Sequence, residues 1–489
     1  MNEVASAIFG AKTHSGQGDA THVINPATEE TIGTFHDAEA GLVDQTVRAA
    51  KAAFESGVWS RASVAERQAG LRKIADIIED HGDELADLEI KQTGLVTSQV
   101  RGMHTRRAAY NFRFFADFIG QADEKLHDQD ENYLTYVRRS PVGVAALIAP
   151  WNAPIALGSM KIAASICFGN SCVLKPSEIA PLSLVRLVEL INASGLPENV
   201  VNLVNGRGHT TGDTLVRHPD VNVVSFTGGT ATGKKIMAAA GEGLKPSTME
   251  LGGKSANVIF ADADLDRALD AAIMAIYAGN GQQCLVGSRI MLEASIADDF
   301  IKEFVRRAEK LKIGDPFDPT SNIGPLISAA HRERVESFVG TGTGEGAQLL
   351  TGGARPEGFD RGYYFKPTAM MAPSNDIALC QQEIFGPFAA FLTFESDEDA
   401  YAMANGTEFG LVSYLWTQSV DRLMQAQERL HSGVVWVNTP MMRELRAPFG
   451  GYGASGVGAE GGESCQSLYT RQKTVTIPRK PVNLPKWGA

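Results

Sequence analysis

From Pro141 onward, short apolar runs alternate with stretches of helical periodicity: VGVAALIA then IALGSMKIAASICF, SCVLK then APLSLVRLVELINA, VVNLV then TTGDTLVRH, VNVVSF then GKKIMAAA. A strand covered on both faces reads as an unbroken apolar run, and parallel neighbours need a helical crossover, so this alternation predicts a parallel α/β sheet. NVIF, SRIML and GVVWVN continue the theme over 256–435 and predict a second α/β domain. Upstream, Val64 to Glu89 and Arg107 to Ile119 carry helical spacing. Residues 122–140 are polar with a β-favouring end, an excursion rather than core. The expected organisation is a Rossmann-like α/β domain from 1–121 and 141–250, a second α/β domain from 251–455, and a small β element from 122–140 and 456–489.

Charge and cysteine use narrow the function. Lys plus Arg number 45 against 57 Asp plus Glu, a net charge of −12, which removes the basic footprint of nucleic-acid or anionic-membrane binding. Five cysteines with no CxxC pair form neither a disulfide framework nor a zinc site. With no basic, apolar leader at the N-terminus, the expectation is a cytoplasmic protein without a metal. Pro141 to Met160 carries no charge over a membrane-spanning length, but Pro150, Asn152 and Pro154 interrupt it. In lipid, their missing donors and polar side chain would leave backbone groups unsatisfied. The expected local structure is a strand, a broken PWNAP loop and an apolar helix.

Ligands of open α/β sheets bind at the carboxyl ends of strands. Here those ends carry Pro150, Trp151 and Asn152, then Lys175, Ser177 and Glu178, then GRG at 206–208, then FTGGTATG at 226–233. A cation, an acid and glycine-rich amides at a helix start suit phosphates and ribose hydroxyls. The GxGxxxG at 206–212 is not the usual dinucleotide spacing and alone signals little more than a turn.

MELGGKS at 249–255, GQQC at 281–284 and EIFGP at 383–387, with APWNAP, LKPSE, SFTGGTATG and APFGG, resemble the NAD(P)-dependent aldehyde dehydrogenase superfamily over most of the chain. The resemblance implies that Cys284 is the nucleophile, because a thiolate adds to an aldehyde to give a thiohemiacetal that can lose hydride. It implies that Asn152 donates to the oxyanion; read alone, an asparagine between two prolines caps a turn. Glu250 becomes the base that activates water against the thioester, with pairing to Lys254 as its alternative. A base at that motif favours a free acid over acyl transfer to coenzyme A. Lys175 and Glu383 resemble the residues that hold ribose hydroxyls, and Phe385 the aromatic beside the nicotinamide ribose. Glu178 would accept from the adenosine ribose and repel a 2′-phosphate, so NAD is expected over NADP. Ile148, Pro150, Trp151, Ser177, Gly208, Phe226, Thr227, Gly228, Gly229, Gly233 and Leu251 complete the implied cofactor contacts. Strands in 122–140 and YTRQKTVTI resemble the family's oligomerisation strands, implying pairing across subunits in a homodimer or homotetramer.

For the aldehyde, Arg107, Tyr110, Phe114 and Phe118 recur at helical spacing, while Arg443, Arg446 and Phe449 stand in RELRAPFGG. The resemblance puts these segments around the aldehyde tunnel, and arginines there in an acidic chain suggest a carboxylate on the substrate; pairing with Glu444 is the alternative for Arg446. RxxxNFRFFAD, RELRAPFGG, ASGVGAEGGE and LPKWG look like the branch that oxidises ring-cleavage semialdehydes of the 5-carboxymethyl-2-hydroxymuconate and 2-hydroxymuconate type. The chain departs from that branch at Ala459 and in the NTPMM loop. The alternative substrate is a neutral aromatic or aliphatic aldehyde, for which Tyr110, Phe114, Trp436 and Phe449 would matter and the arginines would not. A cysteine hydrolase would need a histidine base, yet none lies between His218 and His331.

Overall fold

The computed structural model describes residues 3–488 and is α/β throughout. An eight-stranded sheet has at its centre five parallel strands in the order Val201–Val204, Ser171–Lys175, Val144–Ile148, Val221–Thr227 and Ser247–Glu250. Ala7–Phe9 and Lys12–His14 extend one edge and Gly456–Val457 the other, antiparallel. The chain winds one way from Val144–Ile148 through Val201–Val204, then crosses to the opposite side for Val221–Thr227. The order reverses between these two neighbours, and a crevice opens there at the carboxyl ends of the strands. Apolar clusters cover both faces, one containing Leu147, Leu174 and Leu203, the other Ala146, Val173 and Val224.

The second sheet has seven strands in the order Gln348–Thr351, Thr368–Met371, Phe388–Phe394, Arg289–Glu293, Ala256–Ile259, Val412–Trp416 and Val434–Val437. All neighbours are parallel except the first pair. The segments 251–255, 284–288 and 383–387 all lie just before strands of this sheet. They therefore meet the crevice from its amino ends.

Several local expectations change in detail. The helical stretch at 64–89 is two helices, Val64–Asp80 and Gly82–Thr93, broken at His81, whose φ of −104° and ψ of 17° leave the helical region. Ser63 and Glu66 start the first with a reciprocal cap. The aromatic helix spans Thr105–Ile119 and follows a π-helical turn at Val100–His104. Leu126–Asp130, Tyr133–Pro141 and Thr470–Pro478 form a separate antiparallel sheet within the chain. The 456–469 part of the segment expected in that element packs elsewhere. Gly456–Val457 pairs with Met249 and Glu250, and Gly462–Tyr469 is a helix with its Cys465 and Tyr469 in the core beneath the first sheet. No helix among the described residues is long and apolar enough to cross a membrane.

Candidate active site

Asn152, Glu250 and Cys284 come from three different elements. Asn152 lies between the Val144–Ile148 strand and the Pro154–Ile166 helix, where Pro154 costs no hydrogen bond because the first helical amide has no partner in any case. One N–H of its amide donates to the Gln282 carbonyl at 2.9 Å. That bond orients the group and leaves the other N–H for a ligand.

The turn before Cys284 holds Gly279, Asn280 and Gly281 at φ of 65°, 56° and 69°, in the left-handed region. Buried Asn280 stays there because its amide donates to the Gly94 and Pro325 carbonyls and accepts from Gly324 N. Gly281 has no substitute: a Cβ would stand 2.2 Å from the Gly386 carbonyl carbon and oxygen. Burial raises the Cys284 thiol far above its usual range, and the carboxylates of Glu383 and Glu250 push the same way. The thiol is therefore neutral until a base takes its proton.

Glu250 ends the Ser247–Glu250 strand, and neither carboxyl oxygen has a hydrogen-bond partner. Burial raises it well above the ordinary carboxylate range, and Glu460 adds to the shift, while Lys161 and Arg443 oppose it. Lys161 Nζ lies 2.7 Å from Glu460 Oε1 and donates to Ser225 Oγ at 2.8 Å. Lys254, the expected alternative partner, forms no ion pair with Glu250. Lys161 and Glu460 escaped sequence reading, although a lysine inside the otherwise apolar PIALGSMKIAAS helix was a signal that a buried acid must face it.

Beside these groups runs a cleft of about 710 Å³. Ile148, Pro150, Trp151, Lys175, Ser177, Glu178 and Gly208 line it, as do Phe226, Thr227, Gly228, Gly229, Leu251, Glu383, Phe385, Asn152 and Cys284. Gly233 is the exception: a Cβ there would meet Leu251 Cδ2 at 2.4 Å, so this glycine lets the Thr230–Glu242 helix pack on Leu251 rather than facing the cleft. Gly229 precedes that helix with open space where a Cβ would be, leaving the helix's first amides accessible to an anion. Lys175 Nζ, lowered chiefly by burial, lies 3.7 Å from Glu178. Glu383 accepts from Gly253 N at 2.9 Å. A cation and an acid side by side, a bare helix start and a second acid near the thiol fit the phosphates and two riboses of a dinucleotide. Among the described residues, no group of His, Cys, Asp and Glu could hold a metal ion.

His331 and Arg334 also line the cleft and were not named from the sequence. The His331 ring packs edge-on to Trp151 at 5.5 Å, and burial lowers its pKa to about 4. Phe385 has a φ of +61°, a conformation costing a bulky residue about 1–3 kcal/mol unless its surroundings hold it.

The residues expected around the aldehyde do not line this cleft. Phe114 packs on the core, stacked with Phe118 at 5.9 Å and edge-on to Phe115 at 5.0 Å, because its turn of helix faces the first sheet's cover rather than the thiol. Arg446 is also corrected: its side chain is 78% exposed and bidentate with Glu444, which answers its charge. Tyr110 is exposed. Phe449 packs against the Tyr414 and Trp436 cluster that also receives Cys284 and Leu285. Arg443, partly buried, stacks over Phe449 at 4.8 Å and donates to the Glu444, Ala447 and Glu460 carbonyls. Arg107 donates only through Nε, to Asn111 at 2.9 Å. Its two Nη groups make no hydrogen bond within the protein, and the guanidinium lies 5.9 Å from the Tyr110 ring centroid. Burial and the nearby Arg443 lower it to about 10.

Residues 13–475 match the model of the aldehyde dehydrogenase family. The chain is 42% identical to 5-carboxymethyl-2-hydroxymuconate semialdehyde dehydrogenase of Escherichia coli, over 90% of this chain and 93% of that one. It is 39% identical to betaine aldehyde dehydrogenase of Bacillus subtilis, over 94% of each. An NAD+ complex of an aldehyde dehydrogenase from Bacillus cereus superposes with a TM-score of 0.95 at 36% identity, covering 98% of this chain and 97% of that one.

Proposed function

The chain belongs to the aldehyde dehydrogenase family and is an NAD-dependent oxidoreductase, and from that premise we propose that it oxidises a carboxylate-bearing semialdehyde of the ring-cleavage type to the acid. The observation that carries the substrate class is Arg107. A half-buried guanidinium whose two Nη groups make no hydrogen bond within the protein has donors to offer a ligand, and burial already depresses its pKa. A substrate carboxylate would take those donors bidentately and relieve the repulsion from Arg443. A quaternary ammonium aldehyde of the betaine type would meet repulsion at the same place.

In the proposed mechanism the Cys284 proton passes to solvent as the thiolate adds to the aldehyde carbon, leaving Glu250 ionised for the later step. The oxyanion is met by the free N–H of Asn152, whose plane the Gln282 carbonyl holds. NAD held beside Lys175, Glu178 and Glu383 would supply the hydride acceptor that the change from thiohemiacetal to thioester needs. Glu250 then takes a proton from water as the water attacks the thioester, releasing the acid and free Cys284. With no hydrogen bond in the protein, both buried Glu250 oxygens keep their lone pairs for a water, and the cation of Lys161 favours the ionised form that this step requires. The first sheet with residues 1–121 and 141–250 serves the cofactor and residues 251–455 carry the nucleophile. The small antiparallel sheet serves assembly as a homodimer or homotetramer.

A second reading, a neutral aromatic or aliphatic aldehyde, is favoured by the packing of Cys284 and Phe449 against Tyr414 and Trp436. Steady-state NADH formation with 2-hydroxymuconate semialdehyde, benzaldehyde, hexanal and betaine aldehyde separates the two. The proposal expects kcat/KM for the carboxylated aldehyde to exceed the others at least about tenfold, the worth of one good charged hydrogen bond. Equal or better turnover of benzaldehyde and hexanal would move the substrate to the second reading.

A further inference from the structure

Three consecutive carbonyl groups beside the cleft are taken up by one helix. On Ala329–Gly344, His331 and Arg334 stand three residues apart and so share a face. Arg334 donates through Nη2 to the Glu383 carbonyl at 2.5 Å and through Nη1 to the Ile384 carbonyl at 2.6 Å. His331 Nε2 donates to the Phe385 carbonyl at 2.7 Å. Arg334 thus grips the backbone of the segment and forms no ion pair with the Glu383 carboxylate.

The gripped segment is one that needs holding. Phe385 has a φ of +61°, which a phenylalanine does not keep without compensation. Directly after it, Gly386 lies against Gly281, so closely that a Cβ on Gly281 would overlap it. The segment therefore touches the turn that carries Cys284 as well as the cleft. The two side chains it sends to the cleft are those of Glu383 and Phe385, and the Phe385 ring meets Trp151 edge-on at 5.2 Å.

We propose that His331 and Arg334 are positioning residues that hold the Glu383–Phe385 segment in its left-handed turn, and thereby present Glu383 and Phe385 to NAD. The inference rests on the cofactor reading of the cleft. Neither residue has to touch the cofactor: the helix acts on it through three backbone carbonyls. A ring that merely filled space at 331 would be replaced without loss by phenylalanine; a donor would not.

The test pairs His331→Phe, which keeps a ring and removes the donor, with His331→Gln, whose amide N–H can replace it. Hydrogen exchange of the amides of residues 384–388 is followed in the NAD-free protein, and NAD affinity is measured by calorimetry. Exchange at these amides is expected to accelerate, and the NAD dissociation constant to rise, by about tenfold in His331→Phe, with both within about threefold of wild type in His331→Gln. Arg334→Met, which loses two of the three donors, is expected to behave like His331→Phe and serves where that variant does not fold. Wild-type exchange and affinity in a folded His331→Phe, or a glutamine variant as impaired as the phenylalanine one, would overturn the proposal. A wild-type protein that does not bind NAD would instead sink the cofactor reading, and the exchange comparison would still decide what the helix does.

Discussion

On the cofactor side of Cys284, the residues that matter come from strand ends: 148–151, 175–178 and 226–229 stand at the carboxyl edge of one sheet, and 383–385 before a strand of the other. The residues expected on the aldehyde side are placed differently: Arg107, Tyr110 and Phe114 come from mid-helix, and Arg446 and Phe449 from irregular chain near the Glu460 turn. Strand ends are placed by main-chain hydrogen bonds, so a short motif carries its geometry with it. Helix faces and loops are placed by what they pack against, so on one face of one helix Arg107 is half-buried while Tyr110, 5.9 Å from its guanidinium, is exposed. In the proposed function the cofactor accordingly belongs to the first region and substrate choice to the second.

Cys284 is the residue both regions share, and Cys284→Ala is expected to have the largest effect: loss of NADH formation by at least about 10⁴-fold, with NAD binding retained by calorimetry. If turnover survived, the two regions would not meet at a thiol at all. Arg107→Met, confined to the aldehyde side, is expected to lower kcat/KM for the carboxylated semialdehyde about 30-fold, the loss of a charged hydrogen-bond pair. It should leave benzaldehyde turnover and the KM for NAD within about twofold. A matching loss for benzaldehyde would mean that Arg107 holds the helix and not the substrate.

A third test reads the buried charges around Glu250. Its folded pKa is raised, and a base acts when ionised, so kcat falls as pH drops through that value. Lys161 opposes the shift and Glu460 adds to it. Lys161→Met is therefore expected to move the acid limb of the kcat profile to higher pH and Glu460→Gln to lower pH, each by about one unit. Shifts of the same sign would break this assignment. Stability should fall in both, because each leaves one half of a buried ion pair unanswered. The smallest effect is expected from Arg446→Ala. Glu444 already answers that charge at the surface, so its loss of preference for the carboxylated aldehyde should be about threefold, well below that of Arg107→Met. An Arg446→Ala loss equal to that of Arg107→Met would show that the loop leaves Glu444 when substrate binds.

Much of the fold could be read from the sequence because its strands are apolar runs bounded by polar motifs; VGVAALIA, SCVLK and VNVVSF each became a strand. Gly456–Val457 could not be read this way, since a two-residue strand has no periodicity, and so the 456–469 stretch was grouped with the wrong element. Gly233 belongs to a glycine-rich motif but serves helix packing, a distinction spacing cannot make. Lys161 lies far in sequence from Glu460, and His331 and Arg334 from residues 383–385, so each acts through a pairing that only folding creates. Phe385 showed as an aromatic in EIFGP, but its positive φ and the helix that holds it left no trace in residue type.

The account depends most on an acyl group held on Cys284 and released through Glu250. The direct measurement is the intact mass of Glu250→Gln after brief mixing with excess aldehyde and NAD, followed by acid quench, with Cys284→Ala/Glu250→Gln as control. The account predicts a burst of up to one equivalent of NADH and a protein heavier by the acyl group, with the addition mapped to Cys284 and absent from the control. Unmodified protein with undiminished steady-state turnover would contradict it.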